Sequence, residues 1–471
     1  MLALWRGQDP DSMLSRKYNA RAIRLLKDMV ETSDENESDV VLITIIALQF
    51  REALVAHRKL RQVDGSHQRG AYAVVTHRKS TGFRTPASKK LLQEVRSTMV
   101  SEAIRTRQPV IMDPAVWDDP DPLPISPASD LDRIAIDLAQ LQALYERYKT
   151  TLQIGFANGQ KALTDEDVGV MASFKRAATT IDQRLQVWAG SQSSYFAPCR
   201  VPAHEVPGSV RKAGLYGDFC NVYPSVQLAG VWHAYNSYRL ILVKMTLCAD
   251  QTVQDLREEG SHDVILPPSD SWRKTATETL QHCFDEICAA IPFHLGSRVG
   301  YGSIHDFSNT ASIDYPWPLP EKNPYICHQP SDTEPDEEYT KYRNIIPLNP
   351  DERKRQNIAM GGYNILGPMA FLLGLAGEPL DMTGVRGDDV LRLGSLLRQG
   401  QMPWLIGQWQ RVLKLHRIGR GHGAGAGGGK QGVAANSTAR PTNMVVTRGL
   451  EGELEREVAA VKKAMELSFG V

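Results

Sequence analysis

Cysteine and histidine lie closest together in the segment His282-Cys283-(x4)-Cys288-(x5)-His294. A structural zinc site needs ligands two to four residues apart, usually as two such pairs. Cys283 and Cys288 are five residues apart on a predicted helix, so their side chains diverge by about 140° around its axis. We therefore predict that both thiols are small buried residues of a helix core. The sequence predicts no metal ligands and no zinc module.

Residues 424–430 (AGAGGGK) are similar to a phosphate-binding loop. Alanine stands where the first glycine of that motif belongs, and Gln431 stands where serine or threonine would bind magnesium. Residues 423–428 also satisfy the G-x-G-x-x-G dinucleotide pattern. Neither match follows a predicted strand or opens a helix, so nothing would direct backbone amides toward a phosphate. We interpret the tract as a flexible linker and predict no cofactor.

Residues 118–121 (DDPD) resemble the aspartate-rich magnesium motif of helical prenyl-diphosphate enzymes. That chemistry requires carboxylates on one helix face, whereas Pro114, Pro120 and Pro122 prevent a helix here. The twelve histidines are scattered, and neither a Gly-x-Ser-x-Gly nor a His-Glu-x-x-His motif occurs. We predict no catalytic residues and a protein that is not an enzyme. An all-helical enzyme whose site is assembled from distant residues is one alternative.

The charge balance argues against a dedicated nucleic-acid binder, because 54 Lys and Arg are matched by 54 Asp and Glu. Residues 51–107 carry 13 basic against 4 acidic residues, and acidic residues dominate 113–137. We interpret this pattern as a solvated basic surface that the acidic loop neutralises. Six cysteines among 471 residues are too few for a disulfide scaffold and fit a reducing compartment.

The elements that must position any site are helical, because apolar residues recur at helical spacing along most of the chain. Helices are predicted over 20–30, 40–62, 67–78, 88–107, 130–152, 164–189, 224–248, 270–294, 353–374 and 388–417. Ser88 and Thr164 are the expected caps of two of them. Residues 113–127 read as a loop and 297–350 as an irregular cover over a cavity, and no segment alternates as strands do. Residues 358–377 lack charge, but glycine and proline dilute their hydrophobicity, so we expect a buried helix and no membrane span.

Four patches occur in an order that is informative. They are 18–23 (YNARAI) with 38–40 (SDV) and 48–50 (LQF), 67–71 (HQRGA), 232–240 (WHAYNSYRL), and 287–293 (ICAAIPF) followed by 361–368 (GGYNILGP). Together they resemble the regulatory, middle homology region of fungal Zn2Cys6 binuclear cluster transcription factors. The resemblance covers residues 1–418, and the chain starts inside this domain without the cysteine cluster that normally precedes it.

The resemblance implies an all-α regulatory domain of a nuclear protein that controls transcription by RNA polymerase II. It implies protein partners or a homodimer, a small-molecule effector, and DNA contact only through a zinc cluster absent from this chain. Candidate effector-pocket residues are Trp232, Tyr235, Tyr238 and Arg239, with packing in the helix core as the other interpretation. Residues 419–450 are then a glycine-rich linker and 451–471 a C-terminal amphipathic helix. A helical protein-interaction scaffold is the remaining alternative.

Overall fold

The computed structural model describes residues 12–32, 39–59, 65–117, 126–159, 162–260, 270–325, 350–384 and 390–418. Three quarters of these residues are helical, and the strands among them form a single two-stranded sheet. The predicted all-α class is therefore confirmed. The predicted linker 419–450, the C-terminal helix 451–471 and the aspartate-rich segment 118–121 lie outside the described residues.

The helices are numbered here in chain order. They are α1 Met13–Glu31, α2 Asp39–Lys59, α3 Ser66–Arg78, α4 Pro86–Thr106, α5 Pro114–Trp117, α6 Pro127–Ala157, α7 Asp165–Gly190, α8 Gly208–Gly214, α9 Val226–Gly260, α10 Asp270–Leu295, α11 His305–Ser308, α12 Pro350–Gln356, α13 Gly362–Ala376 and α14 Gln401–His416. Short 3-10 turns occupy Ser80–Gly82, Thr310–Ser312, Pro320–Lys322 and Leu393–Leu396.

Reciprocal side-chain to backbone bonds start several of these helices. Thr164 caps α7 as predicted, because its hydroxyl accepts the backbone N–H of Asp167 at 3.1 Å while that carboxylate accepts the N–H of Thr164 at 2.9 Å. The predicted cap of α4 was wrong by three residues. Thr85 is the N-cap, and Ser88 returns the bond from the third helical position. A threonine before Pro86 satisfies the free N–H groups of the first turn as well as serine does.

Several helix boundaries differ from the predictions, since α1 begins seven residues earlier than predicted, at Met13, and α6 ends five residues later, at Ala157. Helix α9 continues twelve residues beyond the predicted end, to Gly260. Helix α14 begins only at Gln401, because Gly400 takes the left-handed conformation at φ 84° and interrupts the predicted helix. A π-helical turn at Asn357–Gly361 joins α12 to α13 within the segment predicted as one regular helix.

An antiparallel pair of strands, Cys199–Pro202 (β1) and Phe219–Val222 (β2), was not predicted. Each strand has four residues, which is too short for a reliable alternation of polar and apolar side chains. The last three residues of β2 are all buried, because β2 packs against α10. A strand buried on both faces has no alternation to detect.

The main core surrounds α9, which packs most extensively against α10 and α7. A second, smaller core joins α2, α3 and α4 and contains Leu42, Val75 and Leu92. Two charged side chains of the basic segment lie beside this second core, so the interpretation of 51–107 as a solvated basic surface was wrong for these two residues. Arg78 is almost buried and pairs with Asp39 at 2.7 Å, and buried Arg96 donates to the Val116 carbonyl. These interactions compensate the cost of removing a guanidinium from water.

One described segment, Pro350–Ala376, is long and apolar enough to cross a membrane, and the mean hydropathy of its most apolar window is 1.5. More than half of its most apolar window, 56%, is buried inside the fold. Ile365, Leu366 and Leu372 on α13 belong to the main core. Because a buried core helix passes the same length and hydropathy test, the segment is weak evidence for a membrane span.

Candidate functional site

A cavity of about 920 Å³ lies between α4, α6, α9 and α13. This volume falls in the range of sites that hold small organic molecules. Most of its lining surface is apolar, and its charged side chains come from α6, the end of α4, the middle of α9 and the residues after α13. The described part of the predicted cover, 297–325, contributes no lining residue.

Helix α9 forms one wall of the cavity with side chains that recur every three or four residues. Gly230, Ala234 and Ser237 are small and leave space, and Tyr238 and Ile241 continue the same face. Residues at this spacing share one side of a helix. One face of α9 between Gly230 and Met245 therefore forms the cavity wall.

Helix α13 forms the opposite wall through Asn364, Gly367, Pro368, Phe371 and Leu375. Pro368 lies inside the helix and has no N–H, so the carbonyl four residues earlier, at Asn364, loses its usual helical donor. Gly367 and Pro368 are adjacent in the chain, and these small residues fill little of the cavity at this wall. The glycine and proline residues of 358–377, which argued against a membrane span, thus also make room for the cavity.

The charged end of the cavity is built around Arg107, which follows the last residue of α4 with a left-handed backbone at φ 56°. A non-glycine residue adopts this conformation only where surrounding contacts hold it. Here the guanidinium donates to Glu146 at 3.1 Å and to Glu378 at 2.8 Å. Glu378 also pairs with Lys244 of α9. One network therefore connects all four helices of the cavity.

Lys244 is the buried cation of this network, with 6% of its side chain exposed. Burial, and next the positive charge of Arg107, lower the pKa of Lys244 to about 7. Desolvation disfavours the charged ammonium, and a neighbouring guanidinium adds repulsion. The protonation of Lys244 therefore responds to any charge placed beside it in the cavity.

Two further polar groups line the cavity without a complete set of partners. Gln142 is 7% exposed, and its side-chain oxygen has no hydrogen-bond partner in the described structure. His233 is 2% exposed, and its Nδ1 likewise has none. Buried polar atoms are normally satisfied, so an unsatisfied pair in one cavity indicates a place for a polar group of a ligand or for water.

The other nitrogen of His233 forms a close contact with a second histidine, His294 of α10. The two Nε2 atoms are 2.9 Å apart, so one ring donates and the other accepts. Burial lowers the pKa of His233 to about 3, and burial together with His233 lowers the pKa of His294 far below its ordinary value. Both rings are therefore neutral at pH 7. Sequence reasoning missed this pair because its members lie 61 residues apart on different helices.

The described residues contain no group of three or more His, Cys, Asp or Glu side chains arranged to hold a metal ion. Cys283 and Cys288 are fully buried, which confirms the prediction that they are core thiols. Burial raises the pKa of Cys283 to about 12, so this sulfur stays protonated. A protonated thiol is a poor nucleophile and a poor metal ligand.

The four residues predicted for an effector pocket all lie on α9 but face different surroundings. Trp232 and Tyr235 pack against Trp188, with ring centroids 5.2 and 5.4 Å from it, and Trp232 donates its indole N–H to the Phe196 carbonyl. These two rings are therefore part of the core.

Tyr238 and Arg239 diverge although they are neighbours in the chain. Tyr238 lines the cavity. Arg239 points to α7, where its Nε donates to Asp182 at 2.7 Å. The structure thus brings one of the four predicted side chains to the cavity, and the charged end formed by Arg107, Lys244 and Glu378 was not foreseen.

Comparison with known proteins does not add to this description. No family model matches the chain, and neither a curated protein nor a solved structure matches it significantly. The function of the chain is therefore inferred from the cavity and from the four sequence patches.

Proposed function

We propose that the chain is the regulatory region of a fungal transcription factor, which acts in the nucleus on transcription by RNA polymerase II. The cavity supports this proposal, because its central wall is the helix that carries the 232–240 patch of the family resemblance. In this role the domain binds a small-molecule effector and changes the activity of a DNA-bound complex. DNA contact is made by a zinc cluster that this chain does not contain.

The arrangement of the cavity is suited to regulation. A molecule bound there contacts α4, α6, α9 and α13 at once. A ligand shifts an equilibrium between conformations only by as much as its affinities for them differ. A site shared by four helices makes such a difference large, because any change in their packing alters the contacts of the ligand.

A tethering experiment tests this function. The chain is fused to an unrelated DNA-binding domain in yeast, and transcription from a matching reporter is measured. We expect reporter output to differ from that of the DNA-binding domain alone. Filling the cavity by Ser237→Phe should alter the output at equal protein level. Identical output from all three proteins would overturn the proposal.

A band-shift experiment with the isolated chain gives an independent check. We expect no tight, salt-resistant and sequence-selective DNA binding, because the family reads DNA through its zinc cluster. Sequence-selective binding with nanomolar affinity would contradict the division of labour proposed here. Non-specific binding that disappears at moderate salt would agree with it.

A further inference from the structure

We propose that the cavity binds an amphipathic carboxylate, with its anionic head beside Lys149 and Lys244 and its apolar body between α9 and α13. This inference rests on the proposed function and deepens it, because it names the chemical class of the effector.

The charges that line the cavity do not balance. The lining contains four cationic side chains, Arg105, Arg107, Lys149 and Lys244, and two carboxylates, Glu146 and Glu378. Arg105 is already paired with Glu102 one turn earlier on α4, outside the lining. With Lys244 protonated, three cations therefore share two carboxylates, and the charged end has one excess positive charge. A single carboxylate would neutralise it.

Lys149 is the cation whose charge is uncompensated. It lies three residues after Glu146, on the same face of α6. Among the residues that the structure describes, it forms no ion pair or hydrogen bond. Its charge nevertheless reaches Lys244 and helps to lower the pKa of that residue. Both ammonium groups line the same cavity, which favours an anion between them.

Lys244 has too few acceptors for a buried cation. Its partner is Glu378, which also accepts from Arg107. A buried charge is stable only when it is paired and fully hydrogen-bonded. A carboxylate has two oxygens and about four acceptor positions, so it can bond to Lys149 and Lys244 together. Three carboxylates would then face three cations.

The rest of the cavity fits an apolar body. The large apolar side chains of the lining are Ile104, Tyr238, Ile241, Met245, Phe371 and Leu375. Their burial against a hydrocarbon chain contributes about 25 cal/mol per Å². The free oxygen of Gln142, itself buried, gives an acceptor for a hydroxyl on that body. The site therefore distinguishes an amphipathic acid from a wholly polar or a wholly apolar molecule.

Binding of dodecanoate and of the neutral dodecanol to the full chain tests the inference, with titration calorimetry below the micellar concentration. We expect dodecanoate to bind at least about tenfold more tightly than dodecanol, because only the carboxylate forms charge-assisted bonds with the two ammonium groups. Lys149→Met should weaken dodecanoate by about tenfold and leave dodecanol unchanged. Ser237→Phe should weaken both.

Arg147→Met is the matched control, because Arg147 lies two residues from Lys149 on α6, is exposed and does not line the cavity. Its affinity for dodecanoate should equal that of the original chain. An equal loss in both variants would show a general charge effect and overturn the inference. Circular dichroism confirms that each variant is folded. If Ser237→Phe does not fold, the Lys149 and Arg147 variants decide the outcome alone.

The remaining outcomes separate this inference from the proposed function. Equal affinity for dodecanol and dodecanoate, with both lost in Ser237→Phe, would overturn the carboxylate class and leave a small-molecule cavity in place. Failure of dodecanoate to bind would also overturn the carboxylate class. In either case the reporter experiment, which uses no added probe, still decides the regulatory function.

Discussion

Gly361 lies where the π-helical turn before α13 meets the end of α10. A Cβ atom at this position would be 2.2 Å from the backbone oxygen of His294. That oxygen cannot rotate away as a side chain could, and Asn357 holds the neighbouring Phe293 carbonyl by a 2.7 Å hydrogen bond. Gly361→Ala therefore forces the two helices about 1 Å apart to restore an ordinary contact distance.

Gly361→Ala should lower the free energy of unfolding by about 2 kcal/mol. Overpacking a well-packed core costs roughly 1–3 kcal/mol, and the better helix propensity of alanine offsets less than about 1 kcal/mol. Urea unfolding followed by far-UV circular dichroism measures the change. Because α10 carries His294 and α13 forms a wall of the cavity, we also expect weaker binding of any cavity ligand.

Gly407→Ala on α14 is the matched control, because a Cβ atom there meets no heavy atom within 4 Å. Helix propensity alone then acts, and the variant should be more stable by up to about 1 kcal/mol. If Gly361→Ala were as stable as the original chain, with an unchanged dependence on urea, the close approach of the two helices would be refuted.

Three other predictions concern α9 and its neighbours. Asp182→Asn leaves the Arg239 guanidinium nearly buried without a carboxylate, and should cost about 3 kcal/mol in urea unfolding; an unchanged midpoint would contradict this. Trp232→Ala should cost roughly 3–5 kcal/mol in the same assay, and a loss below 1 kcal/mol would show that the ring cluster is not a core. In the folded protein the pKa values of His233 and His294 are lowered, so protonation of either ring favours the unfolded state. The free energy of unfolding is therefore highest above the unfolded pKa near 6.5. It falls as the pH drops toward 3, by about 1.4 kcal/mol per pH unit for each ring. Melting temperatures between pH 7 and pH 5 measure this, and a His233→Phe, His294→Leu variant with an equally steep slope would refute it.

Much of the helical content could be predicted because its signals are local. The Thr164 capping box and the apolar spacing along α6 and α9 depend on residues within one or two turns. Where a boundary depended on a single backbone conformation, as at Gly400, periodicity continued through it and the prediction failed. The β1–β2 strand pair was not predicted, because burial of β2 against α10 leaves no alternation of polar and apolar side chains.

The charged end of the cavity could not be predicted because its members are distant in the chain. Arg107 and Glu378 are 271 residues apart, and both occur in segments whose sequence is typical of any exposed helix end. The 232–240 patch identified the correct helix. It could not show which side faces the cavity, since Tyr238 and Arg239 differ by about 100° around the axis.

Because Tyr238 faces the cavity and Arg239 faces α7, α9 lines the cavity and is also held from its other side. Helix α9 is therefore the fixed wall of the cavity, and α13 is the adjustable wall. Arg239 anchors α9 to Asp182, and Trp232 anchors it to Phe196, so this long helix cannot turn about its axis without breaking both attachments. Helix α13 has a π-helical turn at its start and a proline in its middle, which are the usual places where a helix bends. We therefore expect a molecule that enters the cavity to displace α13 more readily than α9, so the direction of movement is set before any ligand arrives.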